Sequence, residues 1–435
     1  MTGTTIETEE FKMTEIGALP FEWEVAKLGN LVKSTKGKKP HNMAKVTPSN
    51  SLPYLTAVYF RTGQATHFVS LDVNVSLVLV ENNDVVFIWD GSNAGDVFTG
   101  LKGVLASTMV KIVPEDSNTL DKKYLFYFLK NRFDLFNSTT TGSTIPHVNK
   151  KVFQDLSVPV PPLPEQKKIA YVLSTVQTAI EKTEAVINAA RELKKSLMKH
   201  LFTYGPVTID EVENVPLKET EIGMVPEHWQ QTELGQIADI VYGVQAAVAN
   251  LTDSSIGIPI LTNINVRNDG MLDISTLRYY PLPENKRDKL ILKKGDVLFN
   301  WRSGSPLHVG KTAIFNLDGD YTFSSFILRF RSCADSTSNE YLFRYLNLLK
   351  SSGFFLSKRS QSSVNSVFNA SLAAKIPILL PPTLDQIKIS SMLSSADRKI
   401  EAEEDRKKAL EALFKTLLTR LMTGKIRVNN LEAPV

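Results

Sequence analysis

Sixteen residues are written twice in this chain, and that duplication limits what it can fold into more than any other feature. TEIGALPFEWEVAKLG occupies positions 14–29 and TEIGMVPEHWQQTELG positions 220–235, an offset of 206. Thr14, Glu15, Ile16, Gly17, Pro20, Trp23, Leu28 and Gly29 return as Thr220, Glu221, Ile222, Gly223, Pro226, Trp229, Leu234 and Gly235. Further on, Gly37, Pro53, Leu55, Thr56 and Arg61 answer Gly243, Pro259, Leu261, Thr262 and Arg267. DVVFIWDG (84–91) answers DVLFNWRS (296–303), YLFYFL (124–129) answers YLFRYL (341–346), and PPLPEQKKI (161–169) answers PPTLDQIKI (381–389). The offset only grows along the chain, as short loop insertions in a duplicated unit would make it. A repeat on this scale predicts two copies of one architecture.

Each copy reads as two parts. The first contains short β-rich runs such as PYLTAVYF, SLVLV, DVVFIW and STMVKIV, separated by Gly, Asn, Asp and Ser. A short amphipathic helix is expected around 120–132 and again around 338–350. The second part is a long helix. Ile169, Leu173, Val176, Ile180, Ile187, Leu197 and Leu201 fall on alternating spacings of three and four, as do Ile389, Leu393, Ile400, Leu410, Phe414, Leu417 and Leu421. These are heptad seam positions. Thr183 and Lys194 interrupt the first seam, and Glu403 and Lys407 the second; such residues either fix register or mark imprecise packing near solvent. A helix of about 37 residues is roughly 55 Å long. Two such helices bury their seams best on each other, which predicts two heads held apart on an antiparallel pair.

Composition excludes several classes. The chain is 43% hydrophobic and 22% charged, with one cysteine, Cys333, so an internal disulfide or a cysteine-rich zinc site is ruled out. No HxH or HxxxH pattern suggests a metal. The opening MTGTTIETEEFKM lacks the basic and apolar segments of a secretory signal, and the longest apolar runs are too short to span a bilayer. A cytoplasmic protein with no membrane partner is the expectation. The net charge of +4 is too small to identify a polyanionic partner, so any nucleic-acid contact must depend on local placement. VGKT (309–312) is not a phosphate loop, because the required glycine spacing is missing and TAIF reads as a strand.

The paired Ile-Gly, Pro, Trp and Leu-Gly openings (16–29 and 222–235) carry a resemblance. So do the Pro-Pro-x-x-(Glu/Asp)-Gln helix entries (161–166 and 381–386) and the order head, helix, head, helix. Together they resemble the specificity subunits of type I restriction–modification enzymes, over essentially the full length. The resemblance implies an α+β, internally duplicated fold with two target-recognition domains joined by a spacer of two long antiparallel helices forming a coiled coil. Its divisions here would be 1–160, 161–204, a linker at 205–219, 220–380, 381–425 and a tail at 426–435. It implies a non-catalytic subunit that binds double-stranded DNA with a bipartite target in a bacterial or archaeal cytoplasm. It also implies two methyltransferase subunits and restriction/translocase subunits as partners, with S-adenosylmethionine, ATP and Mg on those partners and no cofactor on this chain.

The resemblance does not specify contact residues, so these follow from chemistry. In KSTKGKKP (33–40), Lys36, Lys38 and Lys39 surround a glycine as a phosphate clamp would. The equivalent VYGVQAAV (241–248) offers Tyr242 and Gln245, and Gln can pair with adenine. Arg61 and Arg267, at one shared point, suit either phosphate contact or a structural salt bridge. WDGSN (89–93) presents Asp90, Ser92 and Asn93, and its twin NWRSGSP (300–306) presents Arg302, Ser303 and Ser305; these types read cytosine, adenine and guanine edges. GSTIPHVNK (142–150), with Thr144, His147 and Asn149, answers SSVNSVFNA (362–370), with Asn365 and Ser366. Trp89 and Trp301 are expected to plug the core of each head. Two other readings fit the duplication: a fused recognition module of another restriction–modification type, and a duplicated coiled-coil adaptor that binds only protein.

Overall fold

The computed structural model describes residues 11–429 and 431, except 41–42, 48, 72–76, 246–251, 253, 255, 334–336, 359 and 362–365. Packing divides the chain into two compact units: Met1–Ala185 with Glu404–Val435, and Val186–Glu403. The boundary runs through both long helices, Leu163–Tyr204 and Thr383–Met422, not at their ends. Each unit therefore contains the start of one long helix and the end of the other.

The duplicated opening is a β-hairpin. In unit 1, strands Phe11–Thr14 and Gly17–Pro20 pair with Thr14 opposite Gly17, and Thr14 Oγ1 donates to the Gly17 carbonyl at 2.7 Å. Gly17 has φ +106°, a conformation an L side chain resists. Unit 2 repeats this with Leu217–Thr220 and Gly223–Pro226, the same 2.7 Å bond from Thr220, and φ +118° at Gly223. Trp23, Leu28, Trp229 and Leu234 are buried beneath these hairpins. Gly29 and Gly235 let the chain lie against Gln154 and Ala374, which an added Cβ would meet at 3.2 and 2.9 Å. The opening motif is scaffold throughout.

A four-stranded antiparallel sheet follows in each unit. Unit 1 orders its strands Val97–Thr99, Val85–Ile88, Met109–Pro114, Val32–Lys36. Unit 2 has the corresponding order Thr312–Ile314, Val297–Asn300, Ile327–Ser332, Ala238–Tyr242. The second sheet contains one parallel step in both, Ser51–Leu55 with Gly103–Leu105 and Ile258–Leu261 with Thr322–Phe323. Val85, Phe87, Val297 and Phe299 point to the main core with the aromatic face of helix Lys122–Lys130 or Asn339–Ser351. Each fully buried Leu or Phe of this kind stabilises the fold by about 1.5–3 kcal/mol.

The helix-entry motif is a latch. Gln166 Nε2 donates to the Pro161 and Thr119 carbonyls, both at 2.8 Å, while its Oε1 accepts from Asp121 N at 2.9 Å. Gln386 repeats this, donating to Pro381 O and accepting from Ser338 N, both at 3.0 Å. Each glutamine fastens the start of a long helix to the N-cap of the short helix, and Tyr124 and Tyr341 reinforce the joint by donating to Pro159 O and Leu379 O. Strands Glu24–Lys27 and Ser157–Val160, like Gln230–Glu233 and Pro377–Leu380, close each head just before its helix begins.

Within each unit the two helical stretches run antiparallel. In unit 1, Glu184 pairs with Lys407, while Lys168 Nζ reaches the Asn429 carbonyl at 2.6 Å. In unit 2, Lys194 and Asp397 pair at 2.5 Å. None of the fourteen heptad seam positions is exposed: Ile169, Leu173, Ile187, Leu201, Ile389, Leu393 and Leu421 are buried and the rest half-buried. The polar interruptions have partners: Lys194 and Lys407 make these cross-helix ion pairs, Glu403 pairs with Lys399 at 2.5 Å, and Thr183 Oγ1 donates to Ala179 O at 2.8 Å.

Candidate nucleic-acid interface

The two loops that chain order separates in each head are hydrogen-bonded to each other. In unit 1, Trp89 accepts from Val148 N and Gly91 N donates to Pro146 O, at 2.9 and 2.8 Å, while Asp90 and His147 form a β-bridge. In unit 2, Trp301 accepts from Phe368 N at 2.8 Å, and strand Arg302–Ser303 pairs with Ser366–Val367. The strand ending at Lys36 or Tyr242 arrives beside these loops. Gly37 and Gly243 make that possible, because an added Cβ would lie 2.2 Å from the Ala106 carbonyl oxygen and 2.3 Å from that of Phe323.

Unit 1 gathers charge at this point. Asp90, with 12% of its side chain exposed, receives Lys36 Nζ at 2.8 Å and His147 Nδ1 at 2.7 Å, and both of these remain about half exposed. Lys38, Lys39, Ser92, Asn93 and Thr144 lie on the exposed surface, and Asn137 donates to the Ser92 carbonyl at 3.1 Å. Asn149 is engaged within the scaffold. Its side-chain oxygen caps helix Lys150–Asp155, accepting from Lys151 N and Val152 N at 3.0 and 3.3 Å.

Unit 2 has different chemistry on the same backbone. Tyr242 stacks edgewise on Trp301, and its hydroxyl accepts from Ala370 N at 2.9 Å. The Arg302 guanidinium lies 5.5 Å from the centre of the Phe326 ring. Ser303 is buried, accepting from Ser305 N at 3.2 Å, and Ser305 is half-buried at the start of the turn Pro306–His308. Gln245 is exposed, Ser366 lies in its short strand, and Asn365 lies outside the described residues. Phe326 had no signal in sequence, since its counterpart in the register is Thr108, whose carbonyl takes the Trp89 N–H as Phe326 O takes that of Trp301.

Three further expectations find a place. Arg61 pairs with Asp96 at 2.8 Å and lies over Phe98, and Arg267 pairs with Asp269, so both arginines make ion pairs within their own unit. Trp89 and Trp301 pack against the cores, and Trp301 also donates to Ser325 O at 2.7 Å. Lys311 of VGKT is buried, donates to Asn263 O at 2.8 Å, and has its pKa lowered by burial and by nearby Lys350. It anchors a strand. Among the described residues, no helix is long and apolar enough to cross a membrane.

Known proteins share this arrangement. The family described as the type I restriction modification DNA specificity domain matches residues 20–190 and again 226–412. The MjaVIII type I specificity subunit of Methanocaldococcus jannaschii is 33% identical over 98% of this chain and 97% of its own. The EcoBI specificity subunit of Escherichia coli is 26% identical over 49% of this chain and 47% of its own. The solved structure of a type I S subunit from M. genitalium shares the fold, with a TM-score of 0.62 at 17% identity over 92% of this chain and 96% of that one. A full-length relative and a family match that falls once on each copy, over the repeat described above, lead to one conclusion: this chain belongs to the type I restriction enzyme specificity subunit family.

Proposed function

We propose that this chain is the DNA-recognition subunit of a type I restriction–modification complex, each unit reading one half of a bipartite duplex target. The observation that carries the reading is the pair of matched loop clusters. Backbone hydrogen bonds, tryptophan and glycine are kept between the copies, while the exposed side chains differ in charge and shape. Two unlike half-targets require that combination. The long helices set the gap between half-targets and dock two methyltransferase subunits, and restriction/translocase subunits join the full complex. Methyl transfer, ATP hydrolysis and cleavage belong to those partners, which bind S-adenosylmethionine, ATP and Mg. Backbone phosphate contacts from Lys38 and Lys39 supply affinity and a salt-dependent term, while base edges supply specificity.

The test is to reconstitute the chain with its methyltransferase and map methylated sites on a random-sequence duplex library. The expected result is two short defined half-sites separated by an unspecified gap of fixed length. The isolated, homogeneous chain should show no methyltransferase, ATPase or nuclease activity. A contiguous target, or activity that stays with the chain after partners are removed, would refute the reading.

A further inference from the structure

Three positions coincide in the two units: the last residue of the strand that precedes Gly37 or Gly243, the residue after the half-buried Trp89 or Trp301, and the residue bridged to it. In unit 1 these are Lys36, Asp90 and His147; in unit 2 they are Tyr242, Arg302 and Val367. The platform beneath them is retained. Phe87 packs on Trp89 and Phe299 belongs to the core that Trp301 covers, Phe136 and Phe355 pack on those two phenylalanines, and Gly95 and Gly310 fit against the Phe136 and Phe355 side chains at positive φ. Asn149 and Asn369 cap the helices that follow the third position. All three residues above this platform are exchanged, from a lysine, an acid and an imidazole to a tyrosine, an arginine and a valine.

From this coincidence, and resting on the recognition function above, we propose that the three positions form the specificity-determining site of each unit. In unit 1, Lys36 reads a guanine edge and Asp90 is a positioning residue. The Lys36 ammonium has three N–H donors, of which Asp90 takes one. The others suit the O6 and N7 acceptors that guanine presents in the major groove. Asp90 is too buried to reach a base and accepts from two sides, so it fixes the ammonium and, through Nδ1, the tautomer of His147. In unit 2, the Arg302 guanidinium lies 5.5 Å from the centre of the Phe326 ring, and its planar fork is the group type that makes a bidentate guanine contact. The Tyr242 hydroxyl takes the Ala370 N–H and its ring supports Trp301, so here the strand-end residue buttresses the reader instead of reading.

The experiment uses the reconstituted methyltransferase complex and duplexes carrying every single-base change in the target. Lys36→Met should relax discrimination at a guanine position of one half-target by roughly ten- to hundred-fold. The other half-target should be unaffected. Asp90→Asn should relax the same position less, and Asp90→Glu should restore it, a pattern that a purely structural role would not produce. Arg302→Ala should relax one position of the other half-target. Thermal melting of each variant separates misfolding from misreading, and Lys36 is exposed enough that its replacement should leave the melting temperature unchanged. Uniform loss across all duplexes, or unchanged discrimination, would overturn the three-position site while leaving the wild-type bipartite target intact. A wild-type complex with no preferred sequence would instead overturn the recognition function and the site with it.

Discussion

Asp84 is almost fully buried yet carries charge, because Lys111 Nζ, Lys122 Nζ and the Glu81 N–H stand 2.6, 2.9 and 3.0 Å from its carboxylate. Burial alone would raise its pKa; the Lys111, Glu81 and Lys122 contacts together outweigh burial and bring it down to about 2. A carboxyl whose folded pKa lies below its unfolded value stabilises the fold fully above that unfolded value, and the contribution is lost as pH falls through the folded one. The stabilisation is about 2 kcal/mol at neutral pH. Asp84→Asn should therefore cost about that much at pH 7 and flatten the loss of stability between about pH 4 and pH 2. Urea unfolding across that range reads it, and a variant whose profile runs parallel to the wild type would contradict it. Arg427 offers a second case. Its Nε lies 2.7 Å from Glu165, which also accepts the Trp23 indole N–H at 2.9 Å. Unit 2 has Asp385 in place of Glu165, one methylene shorter, and no acceptor for the buried Trp229 indole among the described residues. Arg427→Ala removes the guanidinium from a buried carboxylate and should destabilise the chain by about 3 kcal/mol. Loss of less than about 1 kcal/mol in the same assay would show that the Trp23 bond suffices.

Elements were legible where one face of a periodic run had to be buried. The long helices follow their heptads, the short helices Lys122–Lys130 and Asn339–Ser351 lie within the two expected amphipathic stretches to within a residue, and Trp89 and Trp301 pack against the cores as expected. The repeat also told which loops correspond. It did not reveal that WDGSN and GSTIPHVNK touch, because that pairing joins residues far apart in sequence through backbone bonds that any side chain permits. Nor did it separate readers from scaffold: Asn149 has adenine-reading chemistry and also the best helix-capping chemistry, and only its place before Lys150 settles its use. Sequence assigned whole helices to successive segments, whereas packing shares each between the units, since a seam residue is indifferent to which copy supplies its partner. The Pro-Pro-x-x-(Glu/Asp)-Gln entry was visible as a motif, and its job as a latch was not. Gln166→Ala should leave the Asp121 N–H and the Thr119 and Pro161 carbonyls without their partner, costing about 3 kcal/mol. Amide exchange should rise across Lys122–Lys130 and the first turns of the long helix. Unchanged protection there would remove the latch from the account.

At the scale of the molecule, the proposed function asks one scaffold written twice to supply two readers and the spacing between them. The unit boundaries fall at Ala185 and Glu403, so the middle of each helix is where length can change without touching either head. Inserting one heptad after Ala185 and another after Asp405 keeps both seams in phase and adds roughly 10 Å. The unspecified gap should then lengthen by about three base pairs, at about 3.4 Å each, with both half-sites unchanged. Altered half-site bases with an unchanged gap would show that the helices do not set the spacing. The most direct test of the two-reader claim is to replace residues 36–155 with the equivalent segment of a relative and map methylation by the reconstituted complex. One half-target should change while the other half and the gap stay as they were; a target altered in both halves, or in neither, would contradict the two-reader claim.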